Sequence, residues 1–144
     1  MRFQSTKSIL RVARGIGAIG VLLAFGCDDS SGPDDSPAGA YHATSLVSTE
    51  SGQSTNHIAN GSTIDLTLTS QGTTSGLFHI VTSAAGPGLD ANLAGTWTIN
   101  GSTVELDGSA DTFMRDMEFT YNGNTLVGDE TFSGTRIQLT LTRN

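Results

Sequence analysis

The sequence predicts an all-β domain: about eight antiparallel strands in a meander, closed or nearly closed into a small barrel, with a β-sandwich as the alternative layering. Three observations predict it. Apolar and polar residues alternate with period two, as in Ile64, Leu66 and Leu68 against Asp65, Thr67 and Thr69, which gives a strand one dry and one wet face. Asn-Gly turn signals recur at Asn60, Asn100 and Asn122. Glycine, serine, threonine and asparagine are abundant, and no helical periodicity of Ala, Leu, Glu and Lys runs through the chain, so strands and turns are favoured.

The elements follow in chain order. Met1 to Arg14 holds Arg2, Lys7, Arg11 and Arg14 and no acid, and Ile16 to Phe25 is an uncharged apolar run. A membrane-crossing helix needs roughly 20 apolar residues. A shorter run behind a basic segment is the pattern of a secretory signal peptide, expected over residues 1–26. The run ends in Leu22-Leu23-Ala24-Phe25-Gly26-Cys27, which resembles the lipobox of bacterial lipoproteins in Gly26 and Cys27 and departs from its commonest residues at Ala24 and Phe25. The resemblance implies a diacylglycerol on the Cys27 sulfur, cleavage after Gly26 and acylation of the new amino terminus. Two or more acyl chains anchor stably where one does not. Cys27 is the sole cysteine, so no intramolecular disulfide competes for it. The expected place is outside the cytoplasm, on the cell membrane or outer membrane. Asp28 resembles the inner-membrane retention signal of some lineages. Residues 27–39 hold the anchor cysteine and then four aspartates among Ser, Gly and Pro, with no large apolar residue, which predicts a disordered tether.

The domain is expected over residues 40–144. Tyr41 to Thr49 is the first strand, with Tyr41, Ala43, Ser45 and Val47 on one face; residues 50–61 are a polar loop. Ser62 to Thr69 is the second, and Gly76 to Thr82 the third, apolar on both faces at Leu77-Phe78-His79-Ile80-Val81. Ala84 to Asn92 is a loop. Leu93 to Ile99 is the fourth strand, and Thr103 to Asp107 returns from Asn100-Gly101, whose two residues are expected at the positive-φ positions of a type I′ turn. Phe113 to Tyr121, Thr125 to Thr131 and Arg136 to Arg143 complete the set. Asn60-Gly61-Ser62-Thr63-Ile64, Asn100-Gly101-Ser102-Thr103-Val104 and Asn122-Gly123-Asn124-Thr125-Leu126 share one strand-entry form: a turn, a threonine, then the first inward apolar residue. Their unequal spacing excludes a solenoid.

Gly95, Trp97, Gly101, Val104 and Leu106, within about eight meandering strands, make the region similar to the small lipocalin-like domains of bacterial lipoproteins. The Gly-x-Trp lies on the fourth strand rather than the first, and the domain is short. The resemblance implies a barrel with Trp97 at its base, and a small apolar ligand bound by residues such as Trp97, Phe78, Phe119 and Tyr121.

Charge narrows the partners. After residue 26, fourteen acids face three arginines (Arg115, Arg136 and Arg143), a formal charge of −11 with no lysine. That excludes nucleic acid, whose phosphates need cations. Arg143, near the end of its strand, is expected at a wet edge. His42, His57 and His79 lack metal-ligand spacing, so no metal or other cofactor is expected. Asp107, Asp111, Asp116, Glu118, Asp129 and Glu130 read as acids on wet faces rather than a calcium or acid–base site. No Gly-x-Ser-x-Gly elbow or phosphate loop occurs, so no catalytic residue is expected and the domain is not expected to be an enzyme. The remaining readings are a monomeric, lipid-anchored barrel that binds a small apolar ligand, or a structural or protein-interaction module of the envelope with a side-chain-filled barrel.

Overall fold

The computed structural model describes residues 36–81, 87–108 and 110–144. The expected signal peptide, Cys27 and the tether as far as Asp35 lie outside the described residues, as does Thr82 at the end of the predicted third strand. Among the described residues the strands are β1 (Gly39–Glu50), β2 (Gln53–Asn56), β3 (Thr63–Leu68), β4 (Thr73–Ile80), β5 (Leu89–Asn92), β6 (Gly95–Asn100), β7 (Thr103–Gly108), β8 (Glu118–Tyr121), β9 (Thr125–Phe132) and β10 (Thr135–Arg143), with one helical turn, α1 (Phe113–Asp116). Eight of them run in the order β10-β9-β8-β7-β6-β4-β3-β1, and β1 pairs back onto β10, which closes an antiparallel barrel. Closure removes the sheet edges that a sandwich would keep. The two remaining strands are flaps: β2 pairs with the second half of β1, and β5 with the second half of β4.

Each of the eight barrel strands overlaps one that the alternation places, with β4 beginning at Thr73 rather than Gly76 and β8 at Glu118 rather than Phe113. The strand-entry device works three times: β3, β7 and β9 each begin at the threonine, and Ile64, Val104 and Leu126 behind it are buried. Five local expectations are corrected. The polar stretch 50–61 contains β2, and 84–92 contains β5. The predicted strand Phe113–Tyr121 begins as α1, because Met114 and Met117, three residues apart, both turn into the core while Arg115 reaches back to Asp111. The residues with paired positive φ are Ser51-Gly52 and Ser133-Gly134, each between partnered strand ends, as a type I′ turn requires. At Asn100-Gly101 the paired ends are Asn100 and Thr103, so Gly101 and Ser102 are central and only Gly101 has positive φ, as in a type II′ turn. Finally, the last four tether residues, 36–39, belong to the domain: Pro37 is buried and Gly39 opposes Leu68.

The face of β1 is also corrected. Ala43 opposes Leu141 and Ser45 opposes Thr140, so Thr44 is an extra residue, a β-bulge. Its hydroxyl contacts Thr142 Oγ1 at 3.0 Å. The extra residue shifts the inward set from Ser45 and Val47 to Leu46, Ser48 and Glu50, since a slip of one residue exchanges the faces of a strand.

The barrel has two unlike ends. Gly39, Leu68 and Arg143 mark the end where the chain enters; Glu50, Ile80 and Thr135 mark the other. Between them Ile64, Leu66, Val104, Phe119, Leu126, Leu139 and Leu141 fill the interior. Burying each such side chain contributes roughly 1.5–3 kcal/mol. Gly128 lies beneath Phe119 in the ladder, and a Cβ there would overlap Met117 Sδ.

Candidate functional site

At the end marked by Glu50 and Thr135 the interior is not filled. A cavity of about 600 Å³ opens there, within the range of about 300–1,000 Å³ typical of small-molecule pockets. Its apolar wall comes from strands whose alternation points inward: Leu46 of β1, Phe78 and Ile80 of β4, and Ile137 of β10, with Phe113 from α1 and Leu89 from β5. Phe113 packs edge-on to Phe78, with ring centroids 5.3 Å apart and planes at 71°. The one-turn helix thus supplies an aromatic side chain that a continuous strand would have placed elsewhere.

The opposite wall is polar. The bulge turns Ser48 and Glu50 inward, and in the β1–β2 ladder Ser48 opposes Thr55 and Glu50 opposes Gln53, so all four share the cavity face. His57 follows β2. Its amide donates to Leu46 O at 2.8 Å, and its Nε2 shares a 2.8 Å hydrogen bond with Ser48 Oγ. Burial holds the His57 imidazole below its ordinary pKa, so it is neutral at pH 7. Among the described residues, the ionisable side chains lining the cavity are Glu50 and His57, and no arginine or lysine does so.

This arrangement can hold a molecule with an apolar body and a hydrogen-bonding end. Among the described residues His57 has no carboxylate partner, so Ser48 and His57 lack the third group that orients a nucleophile–base pair. Also among the described residues, no three His, Cys, Asp or Glu side chains gather as a metal site. His42 bonds to Asn144 Oδ1 and His79 to Asp90 Oδ1 on the outer surface. The acids named from the sequence are spread apart. Asp111 and Asp116 bracket Arg115, Asp129 pairs with Arg136, and Glu118 faces solvent opposite Glu105. Asp107 is exposed, while Glu130 is half-buried opposite Ile137.

Of the four aromatic residues expected at a ligand, Phe78 alone lines the cavity. Phe119 is 0% exposed in mid-barrel, between Val104 and Gly128. Trp97 sits by the β3–β4 turn at the opposite end, where its indole N–H donates to Thr69 O at 2.9 Å and its amide to Gly72 O. Tyr121 belongs to a second polar cluster at that end. Arg143 Nη2 donates to Ser36 O at 2.7 Å and to the hydroxyls of Tyr41 and Tyr121 at 3.0 and 3.1 Å. The guanidinium carbon lies 5.5 and 5.7 Å from the two ring centroids, within cation–π range. Arg143 therefore lies inside a clasp and not at a wet edge. Tyr41 and Tyr121 donate in turn to Pro37 O and Ser36 O. The clasp holds the entering chain against the barrel.

Sequence reasoning missed Ser48, Glu50, Gln53, Thr55, His57 and Ile137 as cavity residues. The available signal was Ser51-Gly52, a turn dipeptide with short polar runs on both sides. No protein-family model, no curated protein and no solved structure matches the chain.

Proposed function

We propose that the protein is an exported, lipid-anchored bacterial envelope lipoprotein, held through Cys27, whose barrel binds a small apolar ligand without turning it over. The observation that carries the ligand reading is the cavity of about 600 Å³, with an apolar wall of Leu46, Phe78, Ile80, Phe113 and Ile137. An unfilled space of that size within an otherwise packed barrel leaves apolar side chains without partners, a loss that an apolar ligand restores. The anchor is supported by the basic segment, the short apolar run and the lone Cys27.

Two measurements test the two halves separately. Cys27→Ser should move the protein from the membrane to the soluble fraction and leave the precursor unprocessed; normal processing with retained membrane association overturns the anchor. Native mass spectrometry of the full Cys27→Ser chain, purified from cell extract, should show a small-molecule adduct. The uncharged dye Nile red should bind at one site and be displaced by extracted lipid. A ligand-free spectrum together with no dye binding overturns the ligand reading and leaves the structural or interaction module.

A further inference from the structure

We infer that the cavity selects its ligand by charge, taking an amphiphile with an apolar chain and a cationic end, an alkylamine being the simplest, in preference to the alcohol of the same chain and, last, the carboxylate. The inference rests on the ligand-binding reading above and adds the chemical class. Its basis is the charge inventory of the open end. Glu50 stands on the cavity face of β1, and a second carboxylate, Glu130, opposes Ile137 in the adjoining ladder. The arginines of the domain already have carboxylate or clasp partners: Arg115 pairs with Asp111 and Asp116, Arg143 lies within the clasp at the other end, and Arg136, though between the lining residues Thr135 and Ile137, alternates to the other face of β10 and pairs there with Asp129. The segment between Val81 and Pro87 contributes no ionisable side chain in its sequence, Thr-Ser-Ala-Ala-Gly.

A ligand carboxylate entering this space would lose water and meet a like charge, with no cation to receive it. A hydroxyl would find neutral partners in Ser48, Gln53, Thr55 and His57, each able to donate or accept. An ammonium group would find the same acceptors and the Glu50 carboxylate as well. The formal charge of −11 beyond residue 26 acts in the same direction at longer range, concentrating cations near the mouth and repelling anions. The selection is built by the bulge: were Thr44 paired in an unbroken ladder rather than bulged out, alternation from the inward Ala43 would put Glu50 on the outer face.

The test is calorimetric titration of the full Cys27→Ser chain with decylamine, decanol and decanoate at pH 7.5, each below its aggregation concentration. Decylamine should bind about tenfold more tightly than decanoate in low salt, with decanol between them, and the ratio should shrink in 0.5 M salt, as expected for a charge of this exposure. Glu50→Gln should cut the amine-to-carboxylate ratio to about threefold or less. Each variant is read as a ratio between ligands, so a loss of affinity common to all three cancels. Gln53→Lys should reverse the order in favour of decanoate. Decanoate binding as tightly as decylamine, or an unchanged ratio in Glu50→Gln, overturns the charge selection while leaving a ligand-binding barrel. Failure of all three probes to bind overturns the ligand reading and this inference together.

Discussion

The two ends of the barrel are made by the same strands and finished in opposite ways. Where the chain enters, long side chains converge: Tyr41, Tyr121 and Arg143 interlock and pin Ser36 and Pro37, and Trp97 seals the β3–β4 turn. At the far end the inward positions of β1 and β10 hold shorter groups, Ser48 and Thr135, with Thr55 added from the flap β2, and the space they leave is the cavity. The contrast shows that cavity formation in so short a barrel is a matter of side-chain length layer by layer, since eight strands enclose little more than their own side chains. It also shows the cost of a polar seal. Among the described residues Arg143 Nε is buried without a partner, and the three oxygens around Nη2 offset that loss.

Truncations along β10 measure the contrast directly. Leu141→Ala, at a position 0% exposed near the sealed end, should cost about 3 kcal/mol in urea denaturation. Arg143→Met should cost about 2 kcal/mol through the lost charged hydrogen bonds. It should also speed amide exchange at residues 38–41 while leaving β2 unchanged; uniform exchange would mean that the clasp does not hold the entering chain. Ile137→Ala, facing the cavity, should cost only about 1 kcal/mol, because it enlarges a space already empty. Equal costs for Leu141→Ala and Ile137→Ala would show that the two ends are equally filled. The smallest effect is a pH dependence confined to the open end. Burial lowers the His57 pKa in the folded state, so as pH falls below about 6.5 the unfolded chain takes up a proton first and stability declines, until the folded imidazole also protonates. His57→Gln should remove that decline between pH 7.5 and 5.5, read by urea denaturation at each pH.

The barrel itself was legible because its strands carry their burial pattern in every second residue, as Ile64, Leu66 and Leu68 do. The sealed end was half legible. Trp97 and Tyr121 stand out as aromatics, but nothing local shows that Arg143, 102 residues from Tyr41, closes over them. The cavity was least legible, for two physical reasons. Its polar wall lies on β2, a strand with no apolar residue, whose pairing is fixed by the Ser51-Gly52 turn and the β1 ladder rather than by its own alternation. And the parity of β1 changes at Thr44, where no residue type announces a bulge. The Asn-Gly signals at Asn100 and Asn122 located hairpins, while Asn60-Gly61 joins β2 and β3, which do not pair; at Asn100 the central residues were misassigned, because a turn type depends on which residues pair across it.

The extra residue in β1 also bears on how such a domain can evolve. A bulge is one residue of slack in a strand otherwise intolerant of length change. Loss of the Thr44 codon would let Ala43 and Ser45 pair on without interruption, opposite Leu141 and Thr140 as now, and Leu46, Ser48 and Glu50 would keep their places. Loss of the Val47 codon, three positions on, would carry Ser48 and Glu50 to the solvent side and bring Thr49 inward, taking the acid from the mouth. A lineage could therefore change the lining of this cavity by an in-frame deletion, with no substitution at any residue that lines it.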